Sequence, residues 1–330
     1  MFTLLTLFLA WLAANAAHTV WVETRRFFWE RRTARRPDGL LPGAASFRVG
    51  DGPVAVLFIH GFADTPCVWQ RMAKRLAAKG PFTCRAMRLS GSAEPAARAK
   101  KQSLQLWRAQ IADELVRLRE THTAVWLAGH SMGGALALDI ALRHPDLVAG
   151  VAVFAPLIGV SRKRSPLLPP GAWFRIARVA LCLSPTFESP FSADGVAADD
   201  PSFTYKRDRF IPFCVYRGLF ELIRSNRGQA GRFQKPLFAV TAGHDSVVDT
   251  AASLRWLAGC PGPKEIRELP DTGHVIPLEP GWESLADGLA TFILCMGESV
   301  YAKGVAAPGR DASPRRPRTV RGTVPTDNRG

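Results

Sequence analysis

The sequence places one serine, Ser131, in a setting typical of a catalytic nucleophile. It lies at the centre of residues 129–133, Gly-His-Ser-Met-Gly, which fit a G-x-S-x-G pattern. An apolar segment at 124–128 precedes this pattern, and a helix-forming segment at 135–142 follows it. A strand, a sharp turn and a helix in this order present a serine hydroxyl above a sheet, and the glycines let strand and helix approach closely. The pattern therefore predicts a nucleophile elbow.

Two further residues could activate this serine, whose hydroxyl is a weak nucleophile unless a base takes its proton. Asp245 and His274 follow Ser131 in the chain order that is expected of hydrolases with such an elbow. Asp245 follows the strand segment 236–242, and His274 follows the last strand segment, 264–269. Ligand sites of open α/β sheets lie at the carboxyl ends of the strands, so the three side chains are predicted to meet there. His274 would accept the serine proton and Asp245 would orient its imidazole.

Other ionisable residues compete for these roles. Asp249 follows Asp245 by four residues and is an alternative acid. His60 and His130 flank the predicted oxyanion loop and the serine, where ring packing is favoured over proton transfer. No second metal ligand lies at a suitable spacing from His60, so no metal site is predicted.

Strands that alternate with helices must position these residues. Mostly apolar strand segments alternate with segments whose apolar residues recur at helical spacing. The strand segments are 53–59, 82–89, 124–128, 148–157, 236–242 and 264–269, and the helical segments are 69–79, 104–119, 135–142, 250–257 and 282–296. This alternation predicts an α/β fold, a three-layer sandwich around a mostly parallel central sheet.

One long stretch interrupts the alternation. The core is predicted to consist of residues 46–157 and 234–298, with an insertion at 158–233 between them. This insertion is rich in proline, glycine and aromatic residues, and its position after a sheet strand favours a lid. An additional pair of structural helices is the alternative.

The two ends of the chain differ from the core. Residues 1–22 carry no charged side chain and would extend about 33 Å as a helix, enough for a hydrocarbon core of about 30 Å. Six arginines follow within the basic linker, residues 23–45, and favour a membrane anchor with a cytoplasmic catalytic domain. A signal peptide cleaved after Ala16, with export of the enzyme, and an amphipathic surface helix remain alternatives. Residues 299–330 are basic and predicted to be disordered.

The overall composition excludes some classes of protein. The formal net charge of +15 is partly located in the two flanks, and no nucleic-acid-binding motif accompanies it. No nucleic-acid partner is therefore predicted. The six cysteines are widely spaced and form no C-x-x-C pair, which is typical of free thiols in a reducing compartment.

Four segments together resemble the α/β-hydrolase superfamily, and within it the bacterial carboxylesterases and monoacylglycerol lipases. These segments are 60–62, 129–134, 243–248 and 272–276. The resemblance covers residues 45–298, implies an α/β-hydrolase fold with an inserted lid, and implies an oxyanion hole formed by the backbone N–H groups of Phe62 and Met132. One segment departs from the pattern: residues 89–92 are Leu-Ser-Gly-Ser, whereas many relatives carry Pro-Gly-His-Gly. This loop is distant from the triad in the order of motifs, and the departure concerns substrate shape more than chemistry.

The expected function is a serine ester hydrolase of the carboxylesterase or lipase type. It would cleave lipophilic acyl esters such as monoglycerides through an acyl-enzyme on Ser131, without a cofactor, and would reach its substrate from the membrane. An acyltransferase, a thioesterase or an amidase could use the same triad. A non-catalytic binding protein on a hydrolase scaffold is a further alternative, which the presence of all three triad residues disfavours.

Overall fold

A computed structural model describes residues 2–163, 165, 167–192 and 194–302 of the 330-residue chain. The helices are α1 (Phe2–Arg32), α2 (Gln70–Lys79), α3 (Ala96–Ala99), α4 (Leu104–Thr121), α5 (Met132–Arg143), α6 (Pro170–Ala180), α7 (Phe213–Asn226), α8 (Thr250–Ala258) and α9 (Trp282–Ala302). The strands are β1 (Phe47–Val49), β2 (Val54–Ile59), β3 (Phe82–Met87), β4 (Ala124–His130), β5 (Gly150–Phe154), β6 (Thr186–Glu188), β7 (Asp194–Val196), β8 (Thr204–Lys206), β9 (Phe210–Pro212), β10 (Leu237–Ala242) and β11 (Lys264–Leu269). Most of the tail predicted to be disordered lies outside the described residues.

A seven-stranded sheet forms the centre of the fold, in the order β1-β3-β2-β4-β5-β10-β11. All neighbouring strands are parallel except β1, which is antiparallel to β3. Strands β4, β5 and β10 are almost completely buried, as their apolar sequences require when helices cover both faces. The predicted α/β-hydrolase fold is confirmed. The parallel arrangement brings the carboxyl ends of β2, β4, β10 and β11 to one edge of the sheet.

The described residues of the insertion at 158–233 form two α-helices, a short 3-10 helix at Ala230–Arg232 and two small antiparallel ribbons. The ribbons pair β6 with β9 and β7 with β8, and the helices are α6 and α7. Aromatic rings join the helices, because Phe174 lies 4.8 Å from Phe213 and 4.7 Å from Phe220 between ring centroids. Helices α6 and α7 thus form a packed pair, accompanied by the two ribbons, and the action of the insertion as a lid stays a prediction.

Helix α1 continues to Arg32, so the first part of the predicted basic linker is helical. Its first turns are exposed, but from Trp11 onward one side of the helix packs on the insertion. Trp11 Nε1 and Asn15 Nδ2 donate to the carbonyl oxygen of Ala180, at 3.2 and 2.7 Å, and Asn15 Oδ1 accepts from the Leu183 backbone at 3.2 Å. Asn15, which weakens the apolar segment in the sequence, is thus buried and hydrogen-bonded. In the described part of the chain, α1 is the one helix long and apolar enough to cross a membrane, although a signal sequence would share these properties.

Candidate active site

Ser131 lies in a strained turn between β4 and α5. Its backbone has φ 54° and ψ −117°, a conformation that L-residues seldom adopt and that costs on the order of 1–3 kcal/mol. The neighbouring glycines make this turn possible: a Cβ on Gly129 would lie 2.2 Å from the Gly133 carbonyl oxygen, and one on Gly133 would lie 2.1 Å from that of Ile59. The predicted elbow geometry is present, and the residue whose hydroxyl faces the site carries backbone strain.

The structure brings Ser131, His274 and Asp245 together in one hydrogen-bonded chain. His274 Nε2 lies 3.0 Å from Ser131 Oγ, and His274 Nδ1 lies 2.7 Å from Asp245 Oδ2. The other carboxylate oxygen of Asp245 accepts from the backbone N–H groups of Val247 and Val248 at 2.7 and 2.8 Å. Burial alone would raise the pKa of Asp245, but His274 and these two N–H groups outweigh it and lower the pKa below its usual value. Asp245 is therefore a carboxylate at neutral pH.

The alternative acid, Asp249, has a different role. It is the N-cap of α8, where its Oδ1 accepts a hydrogen bond of 2.9 Å from the backbone N–H of Ala252. An N-cap carboxylate satisfies a helix donor that would otherwise lack a partner. His274 instead makes its carboxylate contact with Asp245.

The two backbone N–H groups of the predicted oxyanion hole belong to Phe62, just after β2, and Met132, at the start of α5. Within the described residues, neither N–H donates a hydrogen bond to another protein group. The loop that carries Phe62 lies against the serine, because a Cβ on Gly61 would be 3.3 Å from Ser131 Cβ. Both donors are therefore available near the serine, and the start of α5 adds the positive end of a helix dipole.

His60 connects two loops behind the site. Its Nε2 accepts from the Leu89 backbone at 3.1 Å, and its Nδ1 donates to the Gly61 carbonyl oxygen at 2.9 Å. Burial lowers the pKa of His60, which keeps the ring in the neutral form that this pairing needs. The loop at 89–92, which the order of motifs placed far from the triad, thus lies directly behind the oxyanion loop.

His130 holds the loop of the candidate base. Its Nε2 donates to the backbone carbonyl oxygen of His274 at 3.0 Å, and the two ring centroids are 4.9 Å apart. Burial, together with the charge that His274 can carry, lowers the pKa of His130 to about 3, so this ring stays neutral. The sequence interpretation of His60 and His130 as packing residues missed these hydrogen bonds. Their positions at the ends of two neighbouring parallel strands were the available signal.

A cavity of about 450 Å³ extends from Ser131 into the insertion. Its aromatic lining residues are Phe62, Trp173, Phe174, Phe187, Phe191, Phe213, Tyr216 and Phe220. Among the described residues that line it, Glu188 is the one that carries charge, and this carboxylate binds Arg25 and Arg209. The cavity is therefore an apolar space that ends at the serine.

The described residues contribute neither a metal-binding group nor a disulfide to this site. Among the described residues, no group of three or more histidine, cysteine and acidic side chains could hold a metal ion. All six cysteines are free, and Cys67, Cys84 and Cys260 are buried. Burial raises the pKa of each of these three thiols, to about 11, 12 and 11, so they are uncharged at neutral pH.

The sheet, the elbow and the serine–histidine–aspartate arrangement define an α/β-hydrolase. The sequence model of the serine aminopeptidase S33 family matches residues 53–281, and the chain belongs to this family. The chain is 25% identical over 243 residues to the thermostable monoacylglycerol lipase of Bacillus sp. (strain H-257), a match that covers 73% of this chain and 90% of the lipase.

Two further comparisons agree with this assignment. The phospholipase YtpA of Bacillus subtilis (strain 168) is 24% identical over 250 residues, covering 73% of this chain and 96% of the phospholipase. The crystal structure of the Paleococcus ferrophilus monoacylglycerol lipase superposes with a TM-score of 0.63 at 19% identity and covers 76% of this chain and 98% of that one. The latter likeness shows the fold, and the family membership shows a hydrolase.

Proposed function

We propose that this chain is a serine ester hydrolase that cleaves lipophilic acyl esters such as monoglycerides. The observation that carries the proposal is the continuity of the apolar cavity with Ser131, whose hydroxyl is hydrogen-bonded to His274. A cavity of this kind can hold an acyl chain while its carboxyl carbon lies against the serine. The similarity to a monoacylglycerol lipase and a phospholipase supports the same substrate class.

The geometry supports a two-step mechanism. Ser131 Oγ attacks the acyl carbonyl carbon while His274 Nε2 takes its proton, and the N–H groups of Phe62 and Met132 stabilise the oxyanion. The intermediate collapses, His274 donates the proton to the leaving alcohol, and an acyl-enzyme remains. Water, deprotonated by His274, then attacks the acyl carbon, the bond to Ser131 Oγ breaks, and His274 returns the proton to Oγ as the acid leaves. Asp245 stabilises the imidazolium in both steps.

The charge of the cavity favours an acyl ester over a peptide. An enzyme that removes the first residue of a peptide must bind an ammonium group beside the bond that it cleaves. Glu188 is the carboxylate in the described lining, and its charge is already balanced by Arg25 and Arg209. An ammonium group would lose its hydration in this cavity without gaining a free partner, which is unfavourable. An acyl chain would only remove apolar surface from water, which is favourable.

The proposed function predicts a dependence on acyl chain length. With p-nitrophenyl esters, kcat/KM of the full-length enzyme in detergent should rise from acetate to octanoate, by at most about fourfold per methylene, because each buried CH₂ contributes about 0.8 kcal/mol. Ala177 lines the cavity, so Ala177→Trp should reduce octanoate hydrolysis and leave acetate hydrolysis nearly unchanged. Val179 lies on the same helix but is 71% exposed, and Val179→Trp is the matched control. A decline of kcat/KM from acetate to octanoate would contradict the proposed substrate class.

We also propose that α1 anchors the enzyme in the membrane with its catalytic body in the cytoplasm. Exposed apolar side chains of the insertion, Val179 and Leu183, lie next to the Ala180 and Asn15 contact and would enter the same apolar layer. After carbonate washing, the full-length protein should stay with the membranes of a bacterial host. An alkaline phosphatase fused after Gly330 should be inactive. Phosphatase activity in the periplasm, or a mature chain that begins at Ala17, would instead show an exported enzyme.

A further inference from the structure

A second cavity, of about 370 Å³, lies at the carboxyl end of α1. It is lined by three arginines and three aromatic residues: Arg25, Phe28, Trp29, Arg32, Arg209 and Phe210. The lining residues of the catalytic cavity do not include any of these six. The proposed hydrolysis mechanism uses none of them either, so this second cavity requires a separate explanation.

Two of the arginines already converge on an anionic group. Arg25 donates from Nε and Nη2 to the two carboxylate oxygens of Glu188, both at 2.9 Å. Arg209 donates from Nε and Nη2 to Oε1 of the same carboxylate at 2.9 and 2.7 Å. In the described part of the chain, Nη1 of each of these two arginines makes no hydrogen bond to a protein group and is free to bind a second anion. Planar guanidinium groups bind phosphate oxygens in the same paired manner.

The third arginine gives the cavity an uncompensated positive charge. In the described part of the chain, Arg32 has no carboxylate within ion-pair distance, and its guanidinium lies over the Phe28 ring at 5.9 Å. The carboxylates of Glu23 and Glu30 on the same helix bind Arg26 at 2.7 and 2.6 Å and do not neutralise it. Three cations and one carboxylate leave a net charge of 3 − 1 = +2 at this cavity, which a dianion would neutralise and a monoanion would reduce.

The position of the cavity indicates where such an anion would come from. Arg25 lies three residues and Arg32 ten residues after the uncharged segment 1–22, beyond the point where a spanning helix would leave the hydrocarbon core. Trp21, Phe27 and Phe28 are about half exposed at this level, as aromatic residues at a membrane interface are. The cavity would therefore lie among the phosphate groups of the lipid headgroups.

We propose that this second cavity is a binding site for a phosphate group, supplied by the headgroup of an anionic phospholipid. Arg32 and Arg209 hold the phosphate oxygens, and Trp29 and Phe28 pack against the glycerol part. Glu188 lines the acyl cavity and binds Arg25 and Arg209, which line the second cavity, so the two cavities are adjacent. The lipid source rests on the proposed membrane placement of α1, whereas the phosphate chemistry rests on the cavity alone.

The test is a binding titration of the full chain in zwitterionic detergent, without any measurement of hydrolysis. Dihexanoyl phosphatidylglycerol should bind with saturation at one site, and Arg32→Gln and Arg209→Gln should each weaken the binding by about tenfold, the loss of one charge-assisted hydrogen bond. Arg31→Gln is the matched control, because Arg31 is equally exposed on the same turn but lies over Phe27, outside the cavity. The control should bind as the wild type does.

The other probes distinguish the source of the phosphate and can overturn the proposal. If inorganic phosphate saturates the same site with the same loss in Arg32→Gln, the phosphate site stands and its ligand is a free phosphate. Dihexanoyl glycerol has no phosphate and can enter only the acyl cavity, so any binding of it should be the same in Arg32→Gln as in the wild type. An equal loss in Arg31→Gln and Arg32→Gln would show diffuse charge attraction instead of a site, and the absence of saturation by either phosphate probe would refute the proposal. All titrations are made in the Ser131→Ala background, so that no probe is hydrolysed and the results do not depend on whether the chain hydrolyses esters.

Discussion

The Ser131→Ala enzyme should hydrolyse p-nitrophenyl esters with a kcat lowered on the order of 10⁴–10⁶-fold, the loss typical of a missing nucleophile in serine hydrolases. The reason is that Ser131 Oγ, which lies 3.0 Å from His274 Nε2, is the atom that attacks the ester, and alanine has no such atom. Alanine has a Cβ like serine, so the backbone strain at φ 54° is about the same in both and the fold should persist. Steady-state kinetics and a thermal unfolding curve measure both effects.

A serine in the same cavity provides the control for this substitution. Ser246 lines the cavity beside Ser131 and is half-buried. Ser246→Ala should retain activity within a few-fold of the wild type because it removes no proton acceptor or nucleophile. A Ser131→Ala variant that keeps more than a tenth of the wild-type activity would refute the assignment of the nucleophile.

The second large effect concerns the acid of the triad. Asp245→Asn should lower kcat on the order of 10⁴-fold, since an amide cannot hold the Nδ1–H tautomer of His274 or stabilise the imidazolium. Asp249→Asn should change kcat little, because asparagine caps a helix about as well as aspartate does. The pair of variants is matched in chemistry and differs only in which carboxylate contacts His274.

The same pair also tests the geometry. Kinetics of both variants with one short-chain ester, together with their unfolding temperatures, separate a catalytic loss from a structural one. If Asp249→Asn were the more damaging of the two, the carboxylate that contacts His274 in the structure would not be the one that acts in the reaction.

The positions of Ser131, Asp245 and His274 were predictable from the sequence because each follows a strand directly. In a parallel sheet, residues that follow strands emerge at one edge, so their local sequence contexts also determine their spatial relation. The fold was predictable for the same reason, since apolar strand segments alternate with amphipathic helices. The loop at 89–92 could also have been placed correctly. It follows β3, which is the neighbour of β2 in the sheet, so the two loops must meet.

The sequence after residue 22 indicates that α1 continues beyond the predicted anchor at 1–22, but the prediction did not use this pattern. Glu23, Arg26 and Glu30 are spaced by three and four residues, and their ion pairs of 2.7 and 2.6 Å continue the helix beyond the apolar segment. The packing of α1 on the insertion had no such signal. Asn15 and Ala180 are separated by 165 residues, and a hydrogen bond over this distance leaves no periodic pattern in the sequence.

Covalent labelling of the native enzyme by a fluorophosphonate, followed by peptide mapping, tests directly whether Ser131 is an activated nucleophile. Only a serine activated by a neighbouring base reacts rapidly with such a probe, and Ser131 is the serine that contacts His274. We expect one adduct per chain, located on Ser131, absent from Ser131→Ala and formed much more slowly in Asp245→Asn. An unlabelled native enzyme, or an adduct on any other serine, would contradict this expectation.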